Sequence, residues 1–228
     1  MSRLTTFLVA VALLVGLFVN VPTQRYVTSG LDPKIFHIAV IGDSYTTGAA
    51  EGGQGDKGWP TLAWQALARR GVQINADVVA EGGAGYVVRG NRGGIFADLT
   101  ARAVKPDDSL VVFYGSRNDK DADPVAITRM SHDALAMAQR MAPTARMLVI
   151  GPPWPTADVP LSVLRIRDIL RDQAEQVGAA FYDPIAAGWF VGRPELIGAD
   201  GIHPTDAGHA YMADKIATLI GDELPRWV

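Results

Sequence analysis

The 228-residue chain contains no cysteine. Disulfide frameworks, thiolate zinc sites, thiol nucleophiles and a lipid-modified lipoprotein cysteine are thereby excluded. Charge of one sign is lacking too: 21 basic residues face 24 acidic ones, for a formal net charge of -3. That balance offers no electrostatic case for nucleic acid as the main partner. Charged residues amount to 20% against 48% hydrophobic ones, a composition that rules out collagen, coiled coil and wholesale disorder. Internal repeats and low-complexity segments are absent. Histidine is scarce, with four in the chain, so each must be accounted for as a structural or a chemical residue.

One long apolar run is present. Leu4 to Val21 carry no charge over 18 residues, behind a short basic start at Arg3. At 1.5 Å per residue such a run reaches about 27 Å, enough to cross a hydrocarbon core. It ends Phe18-Val19-Asn20-Val21-Pro22, with none of the small residues that mark a cleavage site. Residues 1–21 therefore read as a signal anchor, with a cleaved signal peptide as the alternative. Both readings place the rest of the chain outside the cytoplasm, membrane-anchored through residues 4–21 or secreted. Pro22, Gly30 and Pro33 mark residues 22–34 as a linker, and residues 35–228 read as one domain.

Within that domain strand and helix patterns alternate. Ile35 to Ile41 is a compact apolar run rich in β-branched residues, and it, Val72 to Ala80, Leu110 to Tyr114, Met147 to Ile150 and Ala179 to Tyr182 read as five strands. Trp59 to Arg70, Ile95 to Val104, Pro124 to Met141, Leu161 to Val177 and Thr205 to Ile220 show helical spacing. Thr205 or Asp206 is expected to cap the last helix. Strands separated by helices of this length predict an α/β fold, a three-layer α/β/α sandwich around a mostly parallel five-stranded sheet.

Ligands of such sheets sit beyond the carboxyl ends of the strands, and the unusual residues fall there. Gly42-Asp43-Ser44-Tyr45 follows the first strand, Glu81-Gly82-Gly83-Ala84-Gly85 the second, and Gly115-Ser116-Arg117-Asn118-Asp119 the third. Asp200-Gly201-Ile202-His203-Pro204 precedes the last helix. A serine hydroxyl needs a base to take its proton and a carboxylate to orient that base. Ser44 is the serine that directly follows a buried strand, and His203 the histidine with an aspartate three residues before it in a loop. Acyl transfer also needs donors for the developing oxyanion. The Ser44 N–H, the Gly85 N–H and the Asn118 side-chain amide are the candidates.

These residues resemble the SGNH (GDSL-type) hydrolase family. Gly42-Asp43-Ser44-Tyr45 is similar to the first family block, with Tyr where Leu is commoner. Ala84-Gly85 is similar to the second, with Ala80 where Asn is usual. Asn118-Asp119 is similar to the third, with Gly115 one residue further upstream than usual, and Asp200 to Pro204 matches the last. The resemblance implies a flavodoxin-like fold and a serine esterase or lipase without a cofactor. In it Ser44 is the nucleophile, His203 the base and Asp200 its orienter, and Ser44, Gly85 (or Gly83 in its place) and Asn118 form the oxyanion hole.

The same stretches admit other readings. Asp200, His203, Asp206 and His209 offer metal-ligand types, but His203 precedes a helix and His209 lies inside it, so no metal is expected. Glu51 to Gly55 reads as a flexible lip of the cleft, without the lysine that a phosphate cradle needs. Thr46 stands where an α/β-hydrolase elbow needs glycine. Trp154, Trp189 and Phe190 are candidates for an apolar rim that holds an acyl chain or stacks on a sugar, or else simply cover the sheet ends. The expected substrate is a small-molecule, lipid or cell-envelope glycan ester. An acyltransferase using the same residues and a non-catalytic envelope-binding module are the rival functions.

Overall fold

The computed structural model describes residues 35–225. Five strands form one sheet: β1 Ile35–Gly42, β2 Gln73–Ala80, β3 Leu110–Tyr114, β4 Arg146–Ile150 and β5 Ala180–Tyr182. Their order is β2-β1-β3-β4-β5 and every neighbouring pair runs parallel. That is the flavodoxin-like order, whose switch point lies between β1 and β3.

Alternate residues of each strand feed two cores, as a period of two requires. Ile38, Val40, Val112 and Ile150 face one core, closed by α2 (Trp59–Ala68) and α6 (Asp206–Glu223) through Leu67, Met212 and Ile216. Ala39, Ile41, Val111 and Val149 face the other, closed by α3 (Phe96–Ala103), α4 (Pro124–Met141) and α5 (Leu161–Gln176). Burial at this scale contributes about 25 cal/mol per Å² of apolar surface, and it fixes which way each strand faces.

Thr205 caps α6, its hydroxyl accepting the Gly208 N–H at 3.1 Å. The helix runs past Ile220 to Glu223 because nothing breaks it before Pro225. A short helix not expected from periodicity, α1 (Ser44–Thr47), follows β1 directly. None of the described helices is long and apolar enough to cross a membrane. The anchor expected at residues 4–21 and the linker at 22–34 lie outside the described residues.

Candidate active site

Ser44 owes its position to a helix start. Asp43, the residue after β1, caps α1: its Oδ1 accepts the Tyr45 N–H at 2.9 Å. Ser44 is then the first residue of the helix, where N–H groups have no helical carbonyl to reach. Tyr45 is fully buried, and its hydroxyl donates to the Ile202 carbonyl, tying α1 to the loop before α6. Burial drives the Tyr45 hydroxyl well above its ordinary value, so it stays a donor.

The loop before α6 is folded by its own amides. Gly198 N–H donates to the His203 carbonyl at 2.8 Å and Thr205 N–H to that of Leu196 at 2.9 Å. Asp200 Oδ1 accepts the Ile202 and His203 N–H groups at 2.8 and 2.9 Å. Its other oxygen lies 2.6 Å from His203 Nδ1, and His203 Nε2 lies 3.0 Å from Ser44 Oγ. Burial works to raise the Asp200 carboxyl, but the two amides and the imidazole outweigh it and hold the group below the ordinary carboxylate value. An ionised Asp200 only accepts, so the Nδ1 proton points to it and the Nε2 lone pair faces Ser44. Glu51 adds a second carboxylate, its Oε2 3.8 Å from His203 Nδ1. In the sequence Glu51 belongs only to a glycine-rich lip, with no signal that ties it to the histidine.

Asn118 is set by the loop after β3. In that loop Gly115 turns at φ 116°, a left-handed angle that suits glycine. Ser116 follows, buried, its hydroxyl accepting the Asn118 N–H at 2.9 Å and donating to the Ala84 carbonyl at 3.0 Å. Asn118 Nδ2 donates to the same Ala84 carbonyl at 2.8 Å, and lies 3.4 Å from Asp43 Oδ2. The second contact is long and weak, so one amide hydrogen is held only loosely. Burial pushes the Asp43 carboxyl up to about 6, against the Tyr45 amide and Arg117, which pull it down.

Gly85 does something other than expected. Its N–H donates to the Val88 carbonyl at 2.8 Å, and in this arrangement it is not a free oxyanion donor. The cause is Asp119, fully buried, whose carboxylate accepts the N–H groups of Tyr86, Val87 and Val88 at 2.7, 3.0 and 2.8 Å. These bonds curl residues 85–88 into a turn that closes on Gly85. A Cβ at Gly85 would sit 2.3 Å from Asp119 Oδ1, so close approach explains the glycine. Burial raises the Asp119 carboxyl in spite of its three amide donors.

The three aromatic residues divide. Trp189 and Phe190 are 2% and 1% exposed and cover the sheet end rather than forming an open rim. Trp189 donates to the Tyr182 hydroxyl at 3.1 Å and packs on Tyr114 and Tyr182. Phe190 packs on Tyr45, and its ring still reaches the wall of an apolar groove of about 520 Å³ with Pro155, Val191, Pro194 and Ile197. Trp154 stands apart, lining a hollow of about 280 Å³ with Arg117, Asn118, Lys120, Gly201 and Ile202.

Asp206 and His209 do not join Asp200 and His203 around one point. Asp206 pairs with Lys57 at 2.6 Å, whereas His209 is fully buried and its Nδ1 accepts the Trp59 N–H at 3.3 Å. Burial lowers His209 to about 4. Its unfolded value is near 6.5, so between those limits the unfolded chain takes a proton that the folded one refuses, and stability falls as the medium is acidified. Asparagine keeps an acceptor for Trp59 and removes the titration. His209→Asn is expected to flatten the loss of stability between pH 7 and pH 4.5 by about 2 kcal/mol relative to the parent. Urea unfolding at both pH values measures it, and equal losses in the two proteins would acquit His209.

The profile described as the GDSL-like Lipase/Acylhydrolase family matches residues 40–211. A GDSL lipase of Mycobacterium tuberculosis is 58% identical over 229 residues, which cover 98% of this chain and 99% of the relative. The crystal structure of TesA superposes with a TM-score of 0.65 at 20% identity, over 82% of this chain and 99% of that one. A lipase/acylhydrolase from Enterococcus faecalis gives 0.62 at 16% identity, over 85% and 100%. At such identities the two structures speak for the fold alone.

Proposed function

The chain belongs to the GDSL-like lipase/acylhydrolase family and is an ester-acting hydrolase, and from that premise we propose that it cleaves carboxylic esters by two-step acyl transfer through Ser44. Membership of a hydrolase family displaces the non-catalytic binding module. The observation that carries the proposal is the unbroken row from Ser44 Oγ to His203 at 3.0 Å and from His203 to Asp200 at 2.6 Å.

Ser44 attacks the ester carbonyl while His203 Nε2 takes its proton, and the ionised Asp200 stabilises the imidazolium that results. The tetrahedral oxyanion is received by the Ser44 N–H and by the loosely held hydrogen of Asn118. His203 returns the proton to the leaving alcohol, which leaves an acyl-enzyme. Water, deprotonated by the same imidazole, then attacks the acyl carbon and releases the acid with Ser44 restored. Labelling with a fluorophosphonate probe followed by peptide mapping tests the proposal. Modification at Ser44 is the expected result, and an unlabelled protein that still hydrolyses esters would overturn it.

Asn118→Ala is expected to lower kcat about a hundredfold, with a smaller change in KM, because the amide acts on charge that exists only in the transition state. Steady-state kinetics on a p-nitrophenyl ester read the split. An unchanged kcat would remove Asn118 from the oxyanion site.

The apolar groove beside the loop before α6 supports an acyl chain as the part of the substrate recognised by burial. A lipid ester suits that groove, and the name of the mycobacterial relative, a lipase, agrees. Transfer to a carbohydrate hydroxyl uses the same residues and is separated from hydrolysis by product analysis with an added acceptor alcohol. The apolar run Leu4 to Val21 supports delivery outside the cytoplasm, held at a membrane or released after cleavage.

A further inference from the structure

The hollow beside Asn118 has an unusual lining. It contains two cations, Arg117 and Lys120, with Asn118, Trp154, Gly201 and Ile202, and no carboxylate. Lys120 is spoken for by an ion pair with Asp121. Arg117 is not: among the described residues no carboxylate lies within ion-pair distance of its guanidinium. Arg167 and Arg171 show the ordinary alternative, both being paired with Asp168 and Asp183.

Arg117 is nevertheless held in place. Its guanidinium carbon lies 5.6 Å from the centre of the Trp154 ring and 5.9 Å from that of Tyr45. Two aromatic faces hold the charge without occupying its N–H donors. A half-buried guanidinium whose planar fork is left open is suited to a carboxylate or phosphate, which accept two parallel bonds from it. The adjoining residue in the chain, Asn118, is the one placed at the oxyanion, and Ile202 and Gly201 adjoin His203.

We propose that this hollow is a subsite for an anionic group carried by the ester substrate, with Arg117 as the residue that recognises it and Trp154 as the wall that positions Arg117. The inference rests on the reading of Ser44 as nucleophile, and it narrows the substrate class to esters bearing a carboxylate or phosphate near the scissile bond. The apolar groove and the cationic hollow share Gly201, so one amphipathic ester can reach both.

The test compares matched charged and neutral esters. One pair is 4-nitrophenyl hemisuccinate against 4-nitrophenyl butyrate, with the anion on the acyl side. The other is 4-acetoxybenzoate against phenyl acetate, with the anion on the alcohol side. The quantity read is the ratio of kcat/KM, charged over neutral, in the parent, Arg117→Gln and Arg117→Lys. For at least one pair the ratio is expected to fall about tenfold in the glutamine variant and less in the lysine variant. The pair that responds identifies the side of the ester that enters the hollow. Ratios within twofold of the parent in both pairs would overturn the subsite, because a merely structural effect moves both members of a pair alike.

The parent reading fails separately, by ester hydrolysis that survives Ser44→Ala. In that event tryptophan fluorescence still decides the subsite without turnover. Phenyl phosphate and benzoate should each give a saturable change that is lost in Arg117→Gln and in Trp154→Phe. Identical titrations in parent and Arg117→Gln would reject it.

Discussion

Ser44→Ala is expected to lower ester turnover by about 10⁴-fold or more while leaving the fold intact. The loss is large because no other hydroxyl in the row can take the acyl group, and the imidazole is left with nothing to deprotonate but water. The fold should survive for reasons visible around the residue. Ser44 is only half-buried, among the described residues its hydroxyl bonds only to His203 Nε2, and alanine is the best helix former for the first turn of α1. His203 stays oriented, since Asp200 keeps both its loop amides and its contact to Nδ1. Thermal unfolding within a degree or two of the parent, together with absent release of p-nitrophenol, is the expected pair of observations. Turnover above about one per cent of the parent would mean that another group attacks the ester.

The second large effect concerns stability. Asp119→Ala is expected to destabilise the protein by about 4 kcal/mol, because three buried or part-buried N–H groups, those of Tyr86, Val87 and Val88, lose their acceptor together. For a domain of this size that corresponds to a fall in Tm on the order of 10 °C. Alanine brings no acceptor into the space, and only water entering the turn can soften the loss. Asp119→Asn should do less harm: one oxygen remains for Val87 and Val88, while its amide faces the Tyr86 N–H donor to donor. Activity should fall with stability, since the same turn carries the Ala84 carbonyl that holds Asn118 and Ser116. Calorimetry on the three proteins gives the order alanine, asparagine, parent. A Tm for the alanine variant equal to that of the parent would show that the 84–88 turn is held by other means.

Much of the architecture is legible without coordinates. Leu110–Tyr114 and Pro124–Met141 begin and end where the pattern predicts, because an unbroken apolar run and a long helical period are signals carried by neighbours along the chain. The right-handed crossover rule and the alternation of elements then leave few arrangements open. The candidates Ser44, His203 and Asp200 are legible for a related reason: each sits in a loop of distinctive composition directly after or before a predicted element. Boundaries slip where no local breaker exists, as at the end of α6, and α1 escapes notice because four residues are too few to show a period.

The carboxylates tell the opposite story. Asp43 and Asp119 in sequence are an acid beside a serine and an acid beside an asparagine; Glu81 looks like a turn residue. In the fold all three are buried, and each braces a loop through backbone N–H groups, Glu81 holding those of Arg92 and Gly94. Trp189 likewise reads in sequence either as a rim residue or as a cover of the sheet end, and its burial against Tyr114 and Tyr182 favours the cover.

By itself the sequence determined the class of fold, the order of its elements and the short stretches able to do acyl chemistry, since propensity, capping and hydrophobic period are properties of neighbours along the chain. Only the tertiary structure decided that Ser44 and His203, 159 positions apart, come within 3.0 Å, that the Gly85 N–H is spent on Val88, and that among the described residues no carboxylate comes within ion-pair distance of Arg117. Hydrogen-bond and ion partners are a matter of distance in space, and that distance is set only when packing of both faces of the sheet brings its loops to a common edge.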